Sequence, residues 1–165
     1  MSRENRIYTG IDLLRQNQVL TQMLDEKASE YLGINTTDGH AIDVIDRAGR
    51  ITAGDLAREL RLSTGAVTAI VDRLEKAGYA RRVPDPDDRR RVLVEVTPKL
   101  SRAAAEIYGA PDEAIANAAE FTDEELGVWL RFEEQSRQWL ENRLEHVEQL
   151  IERKRTRRMR GHGRA

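Results

Sequence analysis

Apolar residues recur at helical spacing from Ile7 to Leu32, where Ile7, Ile11, Leu14, Leu20, Leu24, Ala28 and then Tyr31 or Leu32 form one broad stripe. Gly33 supplies a C-terminal stop. A short second helix, capped by Thr36 or Thr37, carries Ile42, Val44 and Ile45 and ends near Ala48-Gly49. Thr52 with Asp55 three positions on is a capped helix start. A third helix is therefore predicted over about 53–60, with Leu56, Ala57 and Leu60 inward. After the brief Arg61-Leu62, Ser63 caps a fourth helix that runs to about Ala77 and stops at Gly78. Its Val67, Ile70, Val71 and Leu74 stand at i, i+3, i+4 and i+7, a complete buried stripe. Two short helices joined by so tight a connection form a helix-turn-helix pattern.

The period then changes from helical to twofold. Tyr79 to Val83 and Val92 to Val96 read as two strands, the second alternating Val92, Val94 and Val96 against Leu93 and Glu95. Between them Asp-Pro-Asp-Asp-Arg-Arg-Arg, residues 85–91, has turn-forming prolines and aspartates followed by three arginines, which places a charged tip on a hairpin. Thr97-Pro98 caps and opens a fifth helix, which Gly109-Ala-Pro111 should break before it resumes over about 112–120. Thr122-Asp-Glu-Glu125 is a capping box opening a long helix to residue 155 or beyond. Leu140, Leu144, Val147 and Ile151 follow the four-three-four spacing of a helical seam, so a partner helix is implied. The fold class is mainly α with a small β-hairpin wing.

Composition narrows the function more than the fold. The 165 residues have room for one sizeable core with helical extensions. Formal charge is −2, yet residues 153–165 hold seven basic side chains and no acid, which leaves residues 1–152 at −9, with 20 basic and 29 acidic groups. Any polyanion must therefore be met by local basic patches. The absence of cysteine excludes disulfides, thiolate metal sites and thiol-based peroxide sensing. No apolar run reaches the roughly 18–20 residues of a membrane span, and the first residues lack a signal peptide's apolar segment. A cytoplasmic location without membrane attachment is expected.

Catalytic chemistry finds no support either. There is no Gly-rich phosphate loop, no nucleophile with a matched base, and no zinc motif. Glu124-Glu125 and Glu133-Glu134 are read as solvated helical charge, and neither His40 nor His146 stands at a metal-ligand spacing. No enzyme, cofactor or metal is expected.

The features that do carry chemistry lie together. The fourth helix presents Thr64, Gly65, Thr68, Asp72, Arg73 and Lys76 on the face opposite its buried stripe. Small residues there let a duplex approach closely, hydroxyls meet bases or phosphates, and the cations neutralise phosphates. Arginines at a hairpin tip can enter the negative potential of the adjacent minor groove, and a nearby carboxylate can fix a guanidinium's direction. The run Arg153 to Arg160 reads as a basic tail, with disorder expected from about 157.

Leu62-Ser-Thr-Gly-Ala-Val-Thr-Ala-Ile-Val-Asp-Arg-Leu-Glu-Lys-Ala-Gly-Tyr79, Asp88-Arg-Arg90 and Val94-Glu-Val-Thr-Pro98 together resemble the MarR (multiple-antibiotic-resistance regulator) family of winged-helix transcription regulators. The likeness follows element order along nearly the whole chain, its specific motifs lying between about 52 and 98. It implies a homodimer with residues 1–33 and 98–155 as helical dimerisation region, 34–97 as DNA-binding lobe and 156–165 as tail. Ile7, Ile11, Leu14, Leu140, Leu144, Val147 and Ile151 are the dimerisation candidates. By the same resemblance Ser63, Thr64, Gly65, Ala66, Thr68 and Arg73 fall where the family contacts bases or phosphates. The wing candidates are Asp88, Arg89, Arg90 and Arg91, with Arg90 entering the minor groove and Asp88 orienting it. The implied partner is a pseudo-palindromic double-stranded DNA operator, from which a small aromatic or anionic effector releases a repressor. Tyr8, His40, Trp129 and Trp139 are the candidates for lining the effector's cleft. The break at Pro111 departs from the family's continuous fifth helix. A ligand-independent regulator and a winged-helix protein-interaction module are the alternatives, and the grouping of Arg73, Lys76, Arg81, Arg82, Arg89, Arg90 and Arg91 speaks against the latter.

Overall fold

The computed structural model describes the backbone of residues 1–162, and the side chains of these except at 111, 114, 117 and 156–162. Two compact units divide at Pro111. The first contains α1 (Arg3–Leu32), α2 (Thr36–Ala48), β1 (Ile51–Thr52), α3 (Ala53–Leu60), α4 (Thr64–Ala77), β2 (Ala80–Pro84), β3 (Val92–Val96) and α5 (Pro98–Tyr108). The second consists of α6 (Pro111–Ala118), which starts at the boundary, and α7 (Asp123–His162).

Helix starts follow the short polar side chains. Thr52 Oγ1 accepts from the Asp55 amide at 3.1 Å, Ser63 Oγ from Ala66 at 3.2 Å, and Thr97 Oγ1 from Leu100 at 3.4 Å, each satisfying a first-turn amide. For α2 the cap is Asn35, not Thr36 or Thr37: its Oδ1 accepts from the Asp38 amide at 2.9 Å, and both threonines lie inside the helix. In unit two the Thr122 amide donates to Glu125 Oε2 at 2.8 Å while the Glu125 amide donates back to Thr122 Oγ1 at 3.3 Å, completing the capping box. The chain breaks after Tyr108 as expected, with Gly109 at φ 82° before α6 begins at Pro111.

The core of the first unit lies under the helix-turn-helix. Ile45, Leu56, Val67, Val71 and Leu74 are fully buried beside Ile70, Val94 and Leu100. Each such side chain contributes roughly 1.5–3 kcal/mol on burial, so this stripe holds the direction of α4. The sheet is antiparallel in the order β1-β3-β2. The hairpin register pairs Ala80 with Val96 and Pro84 with Val92. A third strand was not expected: β1 has only two residues, Ile51 and Thr52, too few for a visible alternation, and forms by pairing with Val94 and Leu93.

Gly78, at φ 78°, turns the chain from α4 into the wing, its amide meeting the Glu75 carbonyl at 2.9 Å and the Tyr79 amide the Leu74 carbonyl at 2.9 Å. The same junction is latched to its neighbours. The Tyr79 hydroxyl donates to the Leu32 carbonyl at the end of α1 (3.2 Å), and Thr97 Oγ1 donates to the Gly78 carbonyl (2.7 Å). Lys99 Nζ stands 4.6 Å from the Tyr79 ring centre, a cation–π contact. The wing therefore leaves a rigid base.

The backbone of α7 is helical through His162. Residues 153–160 contain good helix formers and no glycine or proline, so nothing in them stops α7. Residues 163–165 of the expected tail lie outside the described residues.

Candidate nucleic-acid interface

The N-terminal half of α4 is presented as an exposed, small-residue surface. Ser63, Thr64, Gly65, Ala66 and Thr68 are all exposed, while Val67 and Ile70 on the same turns are buried. A methyl group placed on Gly65 would meet nothing within 4 Å, so no fold contact requires glycine here. Ser63 is the cap, and the Thr68 hydroxyl donates to the Thr64 carbonyl at 2.9 Å, leaving its oxygen lone pairs and methyl group outward. The face combines apolar methyls with acceptor oxygens at the positive end of a helix, an arrangement suited to base edges and phosphates.

Arg73 takes a different place. Its guanidinium reaches Asp38 of α2 through Nε (3.0 Å) and a terminal nitrogen (2.5 Å), and this hydrogen bond raises its pKa. Asp38 is 1% exposed and also accepts from Asn35 Nδ2 at 3.0 Å. Its place on the outward face of α4 suggests a free cation, but the buried carboxylate thirty-five residues away engages it. Its first role is to fix α4 against α2.

The acids of the wing shape its backbone more than they aim its arginines. Asp85, buried at the base of the loop, donates its amide to the Arg91 carbonyl (3.1 Å) and accepts from the Asp87 amide (2.9 Å). Asp88 accepts the Arg91 amide on its carbonyl (2.9 Å) and the Arg90 amide on its carboxylate (3.0 Å). These local bonds are what aspartate does in a tight turn. The expected pairing of the Asp88 carboxylate with the Arg90 guanidinium is therefore replaced by a grip on the Arg90 main chain. Arg91 is held instead by Asp85, at 3.6 Å.

Ion pairing also thins the cationic neighbourhood. Arg81 and Arg50 both reach Glu95, whose pKa is lowered by Arg81 first and Arg50 next. Arg82 sits between Asp72, at 2.8 Å, and Glu75. Among the described residues Lys76, Arg89 and Arg90 have no ion-pair partner. Arg89 and Arg90 are also fully on the surface of the wing tip. Of the seven cations, those without an ion-pair partner among the described residues are thus the two at the tip and one position of α4.

A cavity of about 320 Å3 lies in the same unit between the end of α1, one face of α2 and α5. His40 lines it, but Tyr8 does not: it stands seventeen residues before Asp25 on α1, roughly 25 Å along the helix axis. Trp129 belongs to the second unit, where its Nε1 donates to Glu133 at 3.1 Å and its ring joins Phe121, Val128 and Phe132 in a separate apolar groove. Trp139 is exposed on α7. Within the first unit, His40 is thus at the cavity and Tyr8 is not. What gathers there was not expected from sequence: Asp25, Asp43, Asp46 and Tyr108, which come from three helices and show no shared motif.

The dimerisation candidates are left unpartnered by the single chain. Ile7, Ile11, Leu140, Leu144, Val147 and Ile151 are exposed, and Leu14 is half-buried.

Comparisons with known proteins agree on the family. The family model described as MarR family matches residues 32–91, from the end of α1 through the wing loop. The chain is 36% identical over 149 residues to YcgE, an uncharacterized HTH-type transcriptional regulator of Bacillus subtilis (strain 168), covering 90% of this chain and 97% of that one. It is 32% identical over 106 residues to the multiple antibiotic resistance protein MarR of Salmonella typhimurium (strain LT2), covering 62% of this chain and 74% of the relative. Among solved structures, FabT of Streptococcus pneumoniae in complex with DNA superposes with a TM-score of 0.55 at 27% identity, over 84% of this chain and 98% of that one.

Proposed function

The chain belongs to the MarR family of winged-helix transcriptional regulators, and on that premise we propose that it is a dimeric, sequence-specific repressor released from its operator by a small molecule. The exposed face of α4 reads base edges in the major groove, and the wing tip lays Arg89 and Arg90 against the neighbouring minor groove. The observation that carries this reading is the segregation of charge: neighbouring arginines are paired with acids, while the two at the tip are left for a polyanion. FabT, a relative of similar fold, has been solved with DNA bound.

Dimerisation is supported by the apolar rows left open on α1 and on α7, which a second copy of each helix would cover. A twofold dimer presents two recognition helices, and its operator mirrors that symmetry with half-sites about one helical turn apart. The effector site is the cavity against α2. Thr36, Gly39 and His40 face the cavity from the helix whose Asp38 holds Arg73 of α4, so a ligand that displaces the first turn of α2 also displaces the recognition helix. The Asp38–Arg73 pair is the connecting element.

Selection of bound duplexes from a randomised pool tests the proposal. It should return an inverted repeat with half-sites about 10 base pairs apart, occupied by two chains. Recovery of sequences without a repeat, or of one chain per duplex, would contradict the dimeric reading.

A further inference from the structure

We propose that the cavity between α1, α2 and α5 takes a small organic cation, a protonated or quaternary amine carried on an apolar body. The inference rests on the effector reading above for its consequence on DNA, but the binding itself stands on the cavity.

At about 320 Å3 the space lies at the lower end of the usual range for small-molecule sites and suits a ligand of one ring with its substituents. Leu32, Ile42 and Leu100 contribute apolar walls for such a body. Its charge is one-sided. Asp25 from α1 and Asp43 and Asp46 from α2 line it, and among the described residues no lysine or arginine does. Among the described residues His40 is the one basic side chain in the lining, and Arg47, outside it, is the other basic group acting on Asp43. An anionic ligand would lose its hydration to enter a space walled by carboxylates, with no guanidinium or ammonium to replace it. The anionic effector implied by the family resemblance does not fit this lining.

Two groups are already arranged as a cation would need. Tyr108 donates its hydroxyl to Asp25 at 3.2 Å, and its phenol is pushed up to about 12 by burial first and then by Asp25, so it stays neutral. Both residues line the cavity, so a cation entering it meets an aromatic ring, whose face attracts ammonium groups, beside a hydrogen-bonded carboxylate. The Asp43 carboxyl, on an exposed residue of the lining, is held above its ordinary range by partial desolvation first and Asp25 next, with Asp46 adding to them and His40 and Arg47 opposing. A cation seated between the two carboxylates removes that repulsion and favours the ionised form of Asp43. Binding should therefore strengthen as pH rises through the carboxylate range.

The full chain is titrated by calorimetry with benzyltrimethylammonium, with the neutral N,N-dimethylbenzamide and with benzenesulfonate, at pH 7 and at pH 5. The cation should bind at least about tenfold more tightly than either comparison compound and should weaken at pH 5. Asp43→Asn or Asp25→Asn should abolish the preference, while Asp43→Glu retains it. Tightest binding by the sulfonate, equal binding of all three, absence of cation binding, or a preference unchanged in both asparagine variants would overturn the proposal. Repeating the titration on the duplex complex separates the two ideas. A cation that binds but leaves the DNA in place sinks the effector reading and leaves the ligand class intact. An anion that binds and releases DNA sinks the ligand class and leaves the effector reading.

Discussion

Removing Arg89 and Arg90 together should flatten the salt dependence of DNA binding far more than removing a neighbouring arginine. The structure supplies the count: each wing tip carries these two cations without an ion-pair partner among the described residues. Each phosphate neutralised on B-form DNA adds about 0.9 to the slope of log affinity against log salt. Two arginines on each of two wings then account for a slope of about 3.6. Between about 50 and 200 mM salt the native protein should lose about 150-fold more affinity than Arg89→Ala/Arg90→Ala does. Arg82→Ala is the control, because that guanidinium already lies between Asp72 and Glu75. Its slope should fall by less than about 1. Anisotropy titrations of a labelled operator duplex at four salt concentrations measure all three proteins, with thermal melts to verify that the exposed tip residues leave the fold unchanged. An unchanged slope in the double variant, or an equal loss in Arg82→Ala, would refute the charge-segregation argument.

Three further predictions follow from other parts of the unit. Gly65→Ala should raise stability to chemical denaturation by up to about 1 kcal/mol, since helix propensity improves and the added methyl meets nothing, yet it should weaken operator binding; a variant that gains affinity would show that α4 does not approach a duplex at that position. Asp38→Ala should lower the melting temperature and relax discrimination between operator and scrambled duplex, because the buried carboxylate sets both the first turn of α2 and the direction of Arg73; retained discrimination would contradict the role given to this pair. Asp43→Asn should melt higher than the native chain at pH 7. A carboxyl whose folded pKa is raised favours folding below its unfolded pKa and loses that contribution as pH rises through the folded value, so the advantage should vanish as pH falls through the carboxylate range. A difference independent of pH would remove Asp43's desolvation as its cause.

Local rules made most of the fold legible. Thr52, Ser63, Thr97 and Thr122 cap the helices that their spacing to the following residues suggested, and Gly109-Ala-Pro111 interrupts the chain where an amide is lost. Val67, Ile70, Val71 and Leu74 form the buried stripe that defines the opposite, exposed face of α4. What escaped was set by tertiary contact. β1 exists because Val94 and Leu93 supply its partners, and the cap of α2 fell to Asn35 because the threonines had entered the helix. The site shows the same division. Its exposed small residues and tip arginines are periodic and local, whereas Arg73's engagement by Asp38, Arg81's by Glu95 and the meeting of Asp25, Asp43 and Tyr108 join residues far apart in sequence. Seven cations close together in sequence looked alike until their acids were placed.

Sequence-selective recognition of duplex DNA is the claim on which the rest depends. Its most direct test is fluorescence anisotropy of the full chain on short duplexes tiling the region upstream of its own coding sequence, at two salt concentrations, against scrambled duplexes of equal composition. The account predicts one or two tiles bound at least about 1,000-fold more tightly than their scrambled counterparts, with affinity falling steeply as salt rises. Equal binding of every tile and scramble, or binding indifferent to salt, would contradict it.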